Sequence, residues 1–113
     1  MHSTTILTHE SEIADLEVIC FRERLSKLGL DASVEDIKYD FFKALQELPK
    51  VGKISIEFRA EGGRDGYSAI VYDIRRKDSK AFKGQAFGKD PMQASVKALN
   101  SIPLNNGIFL RKK

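Results

Sequence analysis

A chain of 113 residues, of which 42% are hydrophobic, can bury one core of ordinary size, so we expect a single domain spanning residues 1–113. One cysteine excludes an intramolecular disulfide, two histidines near the start cannot complete a Cys/His zinc site, and no apolar run is long enough to cross a membrane. The net charge of +3 conceals an asymmetry, since residues 1–48 hold five Lys/Arg against ten Asp/Glu, a balance of −5, and residues 49–113 hold fourteen against six, a balance of +8. We therefore expect a reduced, cytoplasmic protein without metal, cofactor or membrane partner.

The first predicted element is a helix from about Ser11 to Leu28, in an N-terminal region of residues 11–30 that follows a flexible start at residues 1–10. Gly29 is placed to end the helix in a left-handed conformation, with Leu30 folding back on Leu25. Its apolar residues form two stripes, Val18, Phe21, Leu25 and Leu28 in one and Ile13, Leu16 and Cys20 in the other.

A second helix is predicted to begin at Ser33, with Asp36 three residues later completing an analogue of the capping box. Pro49 is predicted to end it. Its apolar face consists of Val34, Ile37, Phe41, Leu45 and Leu48. The short connection between the two helices predicts that they pack as neighbours.

After Pro49 the hydrophobic period changes from 3.6 to 2, which predicts three strands of an antiparallel meander. In the first strand, Ile54, Ile56 and Phe58 are expected to face the core. The glycine-rich turn Glu61–Gly66 leads to a second strand at Tyr67–Ile74, and the polar tip Arg75–Lys80 leads to a third at Ala81–Phe87.

Asp90 as N-cap and Pro91 at the first helical position predict a final helix. Its inner face comprises Met92, Val96, Leu99 and Ile102, with Ala94 and Ala98 allowing close approach to the sheet. The core thus covers residues 33–102, and the tail 103–113 is predicted to contain a short extra strand at Gly107–Leu110. The fold class is α+β, in the order ααβββα, with the helices mainly on one face of the sheet.

The residues that support catalysis are sparse. His2 and His9 lie beside no plausible nucleophile, and Cys20 falls on a helical stripe where a small core residue is expected. Gly62-Gly63-x-x-Gly66 lacks the strand-to-helix setting of a phosphate loop, so we interpret it as a hairpin turn. The sequence therefore predicts no enzyme.

The strongest functional signal is a set of basic residues on and around the hairpins. Such residues neutralise phosphates and release counterions, which indicates binding to nucleic acid or a nucleoprotein. The alternative is that basic hairpin tips keep the sheet edges soluble. The predicted set is Arg59, Arg64, Arg75, Arg76, Lys77, Lys80, Lys83 and Lys89. Four aromatic residues, Tyr67, Tyr72, Phe82 and Phe87, interleave with this set, and those that face outward are able to stack on bases.

The acidic first helix is a second candidate, as a contact surface for a host protein or for a homodimer. Its predicted interface residues are Glu12, Asp15, Leu16, Glu17 and Glu23. The alternative is that both of its apolar stripes belong to the core.

The order from Ser33 to Ile102 resembles the double-stranded RNA-binding domain, and Phe82 to Leu99 is similar to that family's last strand and alanine-rich helix. Where that family has a lysine cluster at the helix start, Lys89 and Lys97 here flank Asp90-Pro91-Met92-Gln93. The same segment also resembles small αβββα sandwich domains of bacteriophage accessory proteins, with their Gly-x-x-Pro-x-x-Ala-x-x-x-Ala-Leu type of ending. This second likeness covers about two thirds of the chain and implies a phage origin without enzymatic activity.

We therefore expect a non-enzymatic, phage-encoded binding protein that engages nucleic acid or a nucleoprotein through its basic hairpin face. The alternative is a protein inhibitor of a host defence machine, of the anti-CRISPR type, acting through the acidic helix or the basic hairpin.

Overall fold

The computed structural model of the protein describes residues 14–63 and 66–110. It confirms the predicted α+β class and the order of helices before and after a three-stranded antiparallel sheet. The elements are α1 (Asp15–Lys27), α2 (Val34–Tyr39), α3 (Phe41–Val51), β1 (Ile54–Ala60), β2 (Tyr67–Asp73), β3 (Ala81–Gly88), α4 (Pro91–Asn100) and a 3-10 turn (Gly107–Phe109). The predictions for the flexible start, for Ser11 to Ile13 with Glu12, for Arg64 and for the last three tail residues lie outside the described residues.

The predicted end of α1 is confirmed. Gly29 has a φ of +98°, and the Leu30 N–H donates a hydrogen bond to the carbonyl of Leu25 at 2.9 Å. Together with the bond from Gly29 N–H to the Ser26 carbonyl, this is a Schellman motif. The first apolar stripe is buried, whereas in the second stripe Leu16 is 70% exposed and Cys20 is half-buried.

The second predicted helix consists of two helices, so the prediction of one continuous helix is wrong. Its capping box is present, with Asp36 N–H donating to the Ser33 hydroxyl at 3.0 Å. The chain then breaks at Asp40, whose φ of −141° and ψ of 53° are not helical. Aspartate is a poor residue for a helix interior, and the apolar spacing runs through the break without a gap, so the spacing carries no sign of it.

The prediction that Pro49 ends the helix is also wrong, because Pro49 lies inside the last turn of α3. Proline removes one backbone donor. The turn is nevertheless closed by the Gly52 N–H, which donates to the carbonyl of Leu48 at 2.8 Å. The helix therefore continues to Val51.

The three strands form the predicted meander in the order β1-β2-β3. Ile54 lies opposite Asp73 at one end of the first hairpin, and Ala60 lies opposite Tyr67 at the other. In the second hairpin Val71 pairs with Gly84 but Tyr72 pairs with Phe82, so Lys83 is the extra residue of a β-bulge. The bulge sets which side chains of β3 face each side of the sheet.

Helix α4 covers one face of the sheet through close contacts with glycines of β3. A Cβ atom on Gly88 would lie 2.6 Å from the backbone nitrogen of Ala94, and one on Gly84 would lie 3.0 Å from Cγ1 of Ile102. Ala94 and Ala98 are fully buried, as expected for helix residues that approach a sheet closely. On the same face, Ile54 is buried and Ile56 is half-buried, but the third predicted core residue of β1, Phe58, is 37% exposed.

The predicted strand at Gly107–Leu110 is wrong, since Gly107–Phe109 forms a 3-10 turn. The side chain of Asn106 accepts a hydrogen bond from the Ile108 N–H at 3.1 Å, which favours a turn over an extended chain. The turn buries Phe109, whose ring lies 5.8 Å from the guanidinium carbon of Arg24 on α1. Arg24 also donates from Nε to the carbonyl of Ile102, which ties α1 to the end of α4.

Candidate nucleic-acid interface

The sheet face opposite α4 is covered by no helix among residues 14–63 and 66–110. Side chains alternate between the two faces of a strand, so the register identifies the residues of this open face. The open face consists of Ser55, Glu57 and Arg59 on β1, Ser68, Ile70 and Tyr72 on β2, and Phe82, Gln85 and Phe87 on β3.

Three of the four predicted aromatic residues lie on the open face. Phe82 is 60% exposed and Phe87 is 51% exposed, while Tyr72 is half-buried between β1 and β3. Tyr67 lies on the helix side and packs against the core, so it is not placed to stack on a ligand of the open face. The sequence did not reveal this division, because the apolar residues of β2 occur on both of its faces and because the bulge at Lys83 brings Phe82 and Phe87, five residues apart, to the same face of β3.

Phe82 and Phe87 are separated along the sheet. They pair with Tyr72 and Ser68, which are four residues apart on β2. At ~3.3 Å per residue, the backbone positions of Phe82 and Phe87 are therefore about 13 Å apart. Ile70 and Gln85 form a cross-strand pair between them.

The structure divides the predicted basic residues between the two ends of the sheet. Arg75, Arg76, Lys77 and Lys80 lie together at the tip of the β2–β3 hairpin, and Lys83 lies at the nearby bulge. Arg59 and Lys89 lie at the opposite end, beside the Ser68–Phe87 pair. The two groups are separated by most of the length of β2, roughly 20 Å, and are not one compact cluster.

Three of these cations are paired with carboxylates. The guanidinium of Arg75 bonds to the largely buried Asp73, with Nη2 at 2.6 Å from Oδ2. Lys80 Nζ lies 2.8 Å from Glu57, and Arg59 Nε lies 3.0 Å from Glu61.

The hydrogen bonds in these pairs shift the pKa of the groups in the directions expected for stable charges. The bond from Asp73 raises the pKa of Arg75, and the bond from Glu57 raises the pKa of Lys80. The Ser68 hydroxyl, followed by the Arg59 guanidinium, lowers the pKa of Glu61. Each of these three shifts favours the charged form of the group concerned, Arg75, Lys80 or Glu61.

The ion pairs among the described residues do not include Arg76, Lys77 or Lys83. Lys89 is exposed at the far end of β3. Residues 79–89 contain three lysines and no carboxylate, whereas the open face of β1 carries Glu57 with Glu61 just beyond it. Because Lys80 neutralises Glu57 on the β1 side, the excess positive charge lies at Arg76 and Lys77 of the hairpin tip and at Lys83 of the bulge.

Lys80 joins the basic tip to the aromatic part of the open face. Its Nζ lies 4.6 Å from the centre of the Tyr72 ring, within the range of a cation–π contact. Tyr72 pairs with Phe82 on the neighbouring strand. A ligand on Phe82 would thus lie next to a held ammonium group.

The acidic helix offers a smaller surface than predicted. Leu16 and Glu23 are exposed, but Glu17 is half-buried and Asp15 forms an ion pair with Lys38 at 2.9 Å. Ile19, which the sequence analysis did not single out, is 42% exposed. Ile19 follows Leu16 by three residues, and this spacing could have shown that the two side chains are neighbours on the helix surface.

Elsewhere the acidic residues gather among the helices. Asp31, Asp36, Asp40 and Glu47 line a cleft between the α1–α2 connection and helix α3. No group of three or more His, Cys, Asp or Glu among the described residues is arranged to hold a metal ion. These acidic residues thus belong to the helices and the connections between them, whereas the basic hairpin belongs to the sheet.

In the part of the chain that the structure describes, none of the helices has the length and apolar character needed to cross a bilayer. Comparisons of the chain with protein-family models, with curated proteins and with solved structures find no match. The two resemblances drawn from the sequence therefore stay predictions, and the function has to be inferred from the residues of this chain.

Proposed function

We propose that this protein is a non-catalytic binding module that contacts nucleic acid through its basic β2–β3 hairpin. The observation that carries this proposal is the charge of residues 76–89, which include five Lys/Arg and a single carboxylate, Asp78. Of the five cations, Lys80 is paired with Glu57, while Arg76, Lys77 and Lys83 take part in no ion pair among the described residues. These three side chains supply the positive charge on which the proposal rests.

The ion pairs on the sheet do not oppose this function. The side chains of Lys80 and Glu57 are each 50% exposed, and exposed pairs of this kind contribute about 0–1 kcal/mol. A phosphate can therefore take the place of Glu57 at little cost. Arg75 differs, because it holds the largely buried Asp73, so we expect it to position the tip and not to bind phosphate.

The test is the binding of fluorescent oligonucleotides of about 12 nucleotides, single-stranded and duplex, to the full chain between about 50 and 200 mM salt. Changing Arg76 and Lys77 together to alanine should weaken binding and make the salt dependence shallower by about 1 to 2 in log–log slope. A matched control changes Arg22 and Lys27 on α1, which are equally exposed. Absence of binding to every oligonucleotide at the lowest salt, or equal effects of the two double variants, would contradict the proposal.

A second candidate function is contact with a host protein through α1. The supporting observation is that Leu16 and Ile19, three residues apart on α1, are 70% and 42% exposed. Leu16→Asp should then abolish capture of a partner from host lysate treated with nuclease, while Arg76→Ala/Lys77→Ala leaves capture intact. The opposite pattern would assign the contact to the hairpin.

A further inference from the structure

This inference rests on the proposed function and concerns the kind of nucleic acid that the open face accepts. Outward positions of a half-buried strand are normally polar. Here Phe82 and Phe87 are 60% and 51% exposed at such positions. Ile70 lies between them beside Gln85, and Tyr72 lies opposite Phe82. The open face is thus an exposed apolar strip bordered by cations.

We propose that the bound nucleic acid is single-stranded, with unpaired bases stacking on Phe82 and Phe87. In a duplex the faces of the bases are covered by their neighbours, so a ring reaches them only after a base step is partly unstacked, whereas the bases of a single strand can be splayed apart without that cost. The backbone positions of Phe82 and Phe87 are also about 13 Å apart, far more than the ~3.4 Å between adjacent stacked bases of one strand. The rings therefore match two bases that are not neighbours in a regular helix.

The shape of the open face points the same way. The major groove of B-DNA is about 12 Å wide and admits a helix or a two-stranded ribbon. The open face has three strands, and its two exposed phenylalanines lie on an outer one. A three-stranded face is wider than the ribbon that a groove admits, so it fits an extended nucleic-acid strand better than a duplex groove.

The charges around the open face indicate where the phosphates run. Lys83 lies at the bulge of β3 and Lys89 follows the end of this strand, whereas the ammonium group of Lys80 reaches over Tyr72 to Glu57 on β1. Across the sheet, Glu57 and Glu61 would repel a phosphate. The sugar–phosphate chain should thus follow the β3 edge, with its bases turned inward over the rings.

The chain contains no tryptophan, which permits a direct test with the full-length protein. The variant Phe82→Trp places a single indole on the open face, and Tyr39→Trp places one on a side chain that is 77% exposed on α2. Adding a single strand of about 12 nucleotides should quench the first indole and leave the second unchanged. A duplex of the same sequence should quench neither.

Affinity measurements complete the test. Phe82→Ala and Phe87→Ala should each weaken single-strand binding by roughly tenfold or more, while Phe82→Tyr and Phe87→Tyr retain most of it. Tyr39→Ala is the matched control and should have no effect. Circular dichroism confirms that each variant is folded, and the tyrosine variants keep the test decisive should an alanine variant unfold.

The outcomes separate this inference from the function on which it rests. Binding of duplex as tightly as single strand, or alanine variants that bind like the wild type, overturns the stacking inference but leaves a nucleic-acid-binding hairpin. Quenching of Phe82→Trp by raised protein concentration alone would assign the face to a second copy of the chain. Failure of the wild type to bind any oligonucleotide overturns both.

Discussion

Replacing Gly88 by alanine should destabilise the fold by about 2 kcal/mol, because helix α4 lies against the position of the added methyl group. The new Cβ would be 2.6 Å from the nitrogen of Ala94 and 3.0 Å from its Cα, whereas carbon and nitrogen atoms in contact need about 3.5 Å. Both obstacles are backbone atoms, so no side chain can rotate away, and α4 must move. Overpacking of this kind costs about 1–3 kcal/mol, offset in part by about 0.4–1 kcal/mol from the stiffer unfolded chain.

Two further glycines provide a graded comparison. At Gly84 the added Cβ would lie 3.0 Å from Cγ1 of Ile102 and 3.2 Å from the carbonyl oxygen of Ala98, contacts that are less close than those at Gly88, so alanine should cost about 1 kcal/mol. At Gly107 nothing lies within 4 Å and φ is not positive, so alanine should be neutral or slightly stabilising. Urea unfolding followed by circular dichroism, with unchanged m-values, gives the three differences. A cost for Gly88→Ala within about 0.5 kcal/mol of that for Gly107→Ala would refute the close packing of α4 on β3.

The remaining predictions use the same unfolding assay. Arg24→Met removes the hydrogen bond to the Ile102 carbonyl and the contact with Phe109, and should destabilise the protein by about 1–3 kcal/mol; an unchanged urea midpoint would contradict this role. The Ser68 hydroxyl and the Arg59 guanidinium lower the pKa of Glu61 from its usual value. The stability that this carboxylate contributes is therefore present above the usual pKa of a glutamate and is lost as the pH falls through the lowered pKa of the folded state. The wild type should therefore lose more stability than Glu61→Gln between pH 5 and pH 3, and parallel pH profiles would show that Glu61 contributes nothing.

The local signals in the sequence were sufficient for the element ends that depend on neighbouring residues. Gly29, the Ser33–Asp36 pair and Asp90 each act within a few residues of their own position, and each forms the predicted cap. The break at Asp40 could not be read in this way, since the apolar spacing is helical on both sides of it. At residues 107–109 the apolar run suggested a strand, but no strand among the described residues pairs with it.

The candidate interface was predictable in composition but not in arrangement. The sequence identified the basic residues, but the pairing of Lys80 with Glu57 joins residues that are 23 apart in the chain and depends on the fold. Arg59 and Arg75 instead pair with carboxylates two residues away, a local signal that the sequence analysis did not use. Nor could it assign the aromatic residues to faces. That assignment depends on strand register and on the bulge at Lys83, which are tertiary features.

The pattern of β3 supports a role for its phenylalanines outside the core. Gly84, Ala86 and Gly88 face α4, while Phe82, Gln85 and Phe87 face away from it, so the strand places its small residues inward and its large apolar residues outward. A strand shaped only by core packing would do the reverse, because burial of a phenylalanine contributes about 1.5–3 kcal/mol that exposure leaves unrealised. The cross-strand contact between Phe82 and Tyr72 contributes only about 0.2–1 kcal/mol to the stability of the fold. Removing Phe82 should thus cost little folding free energy, and a large loss of oligonucleotide binding in a variant of nearly normal stability would identify the ligand contact as the reason for its position.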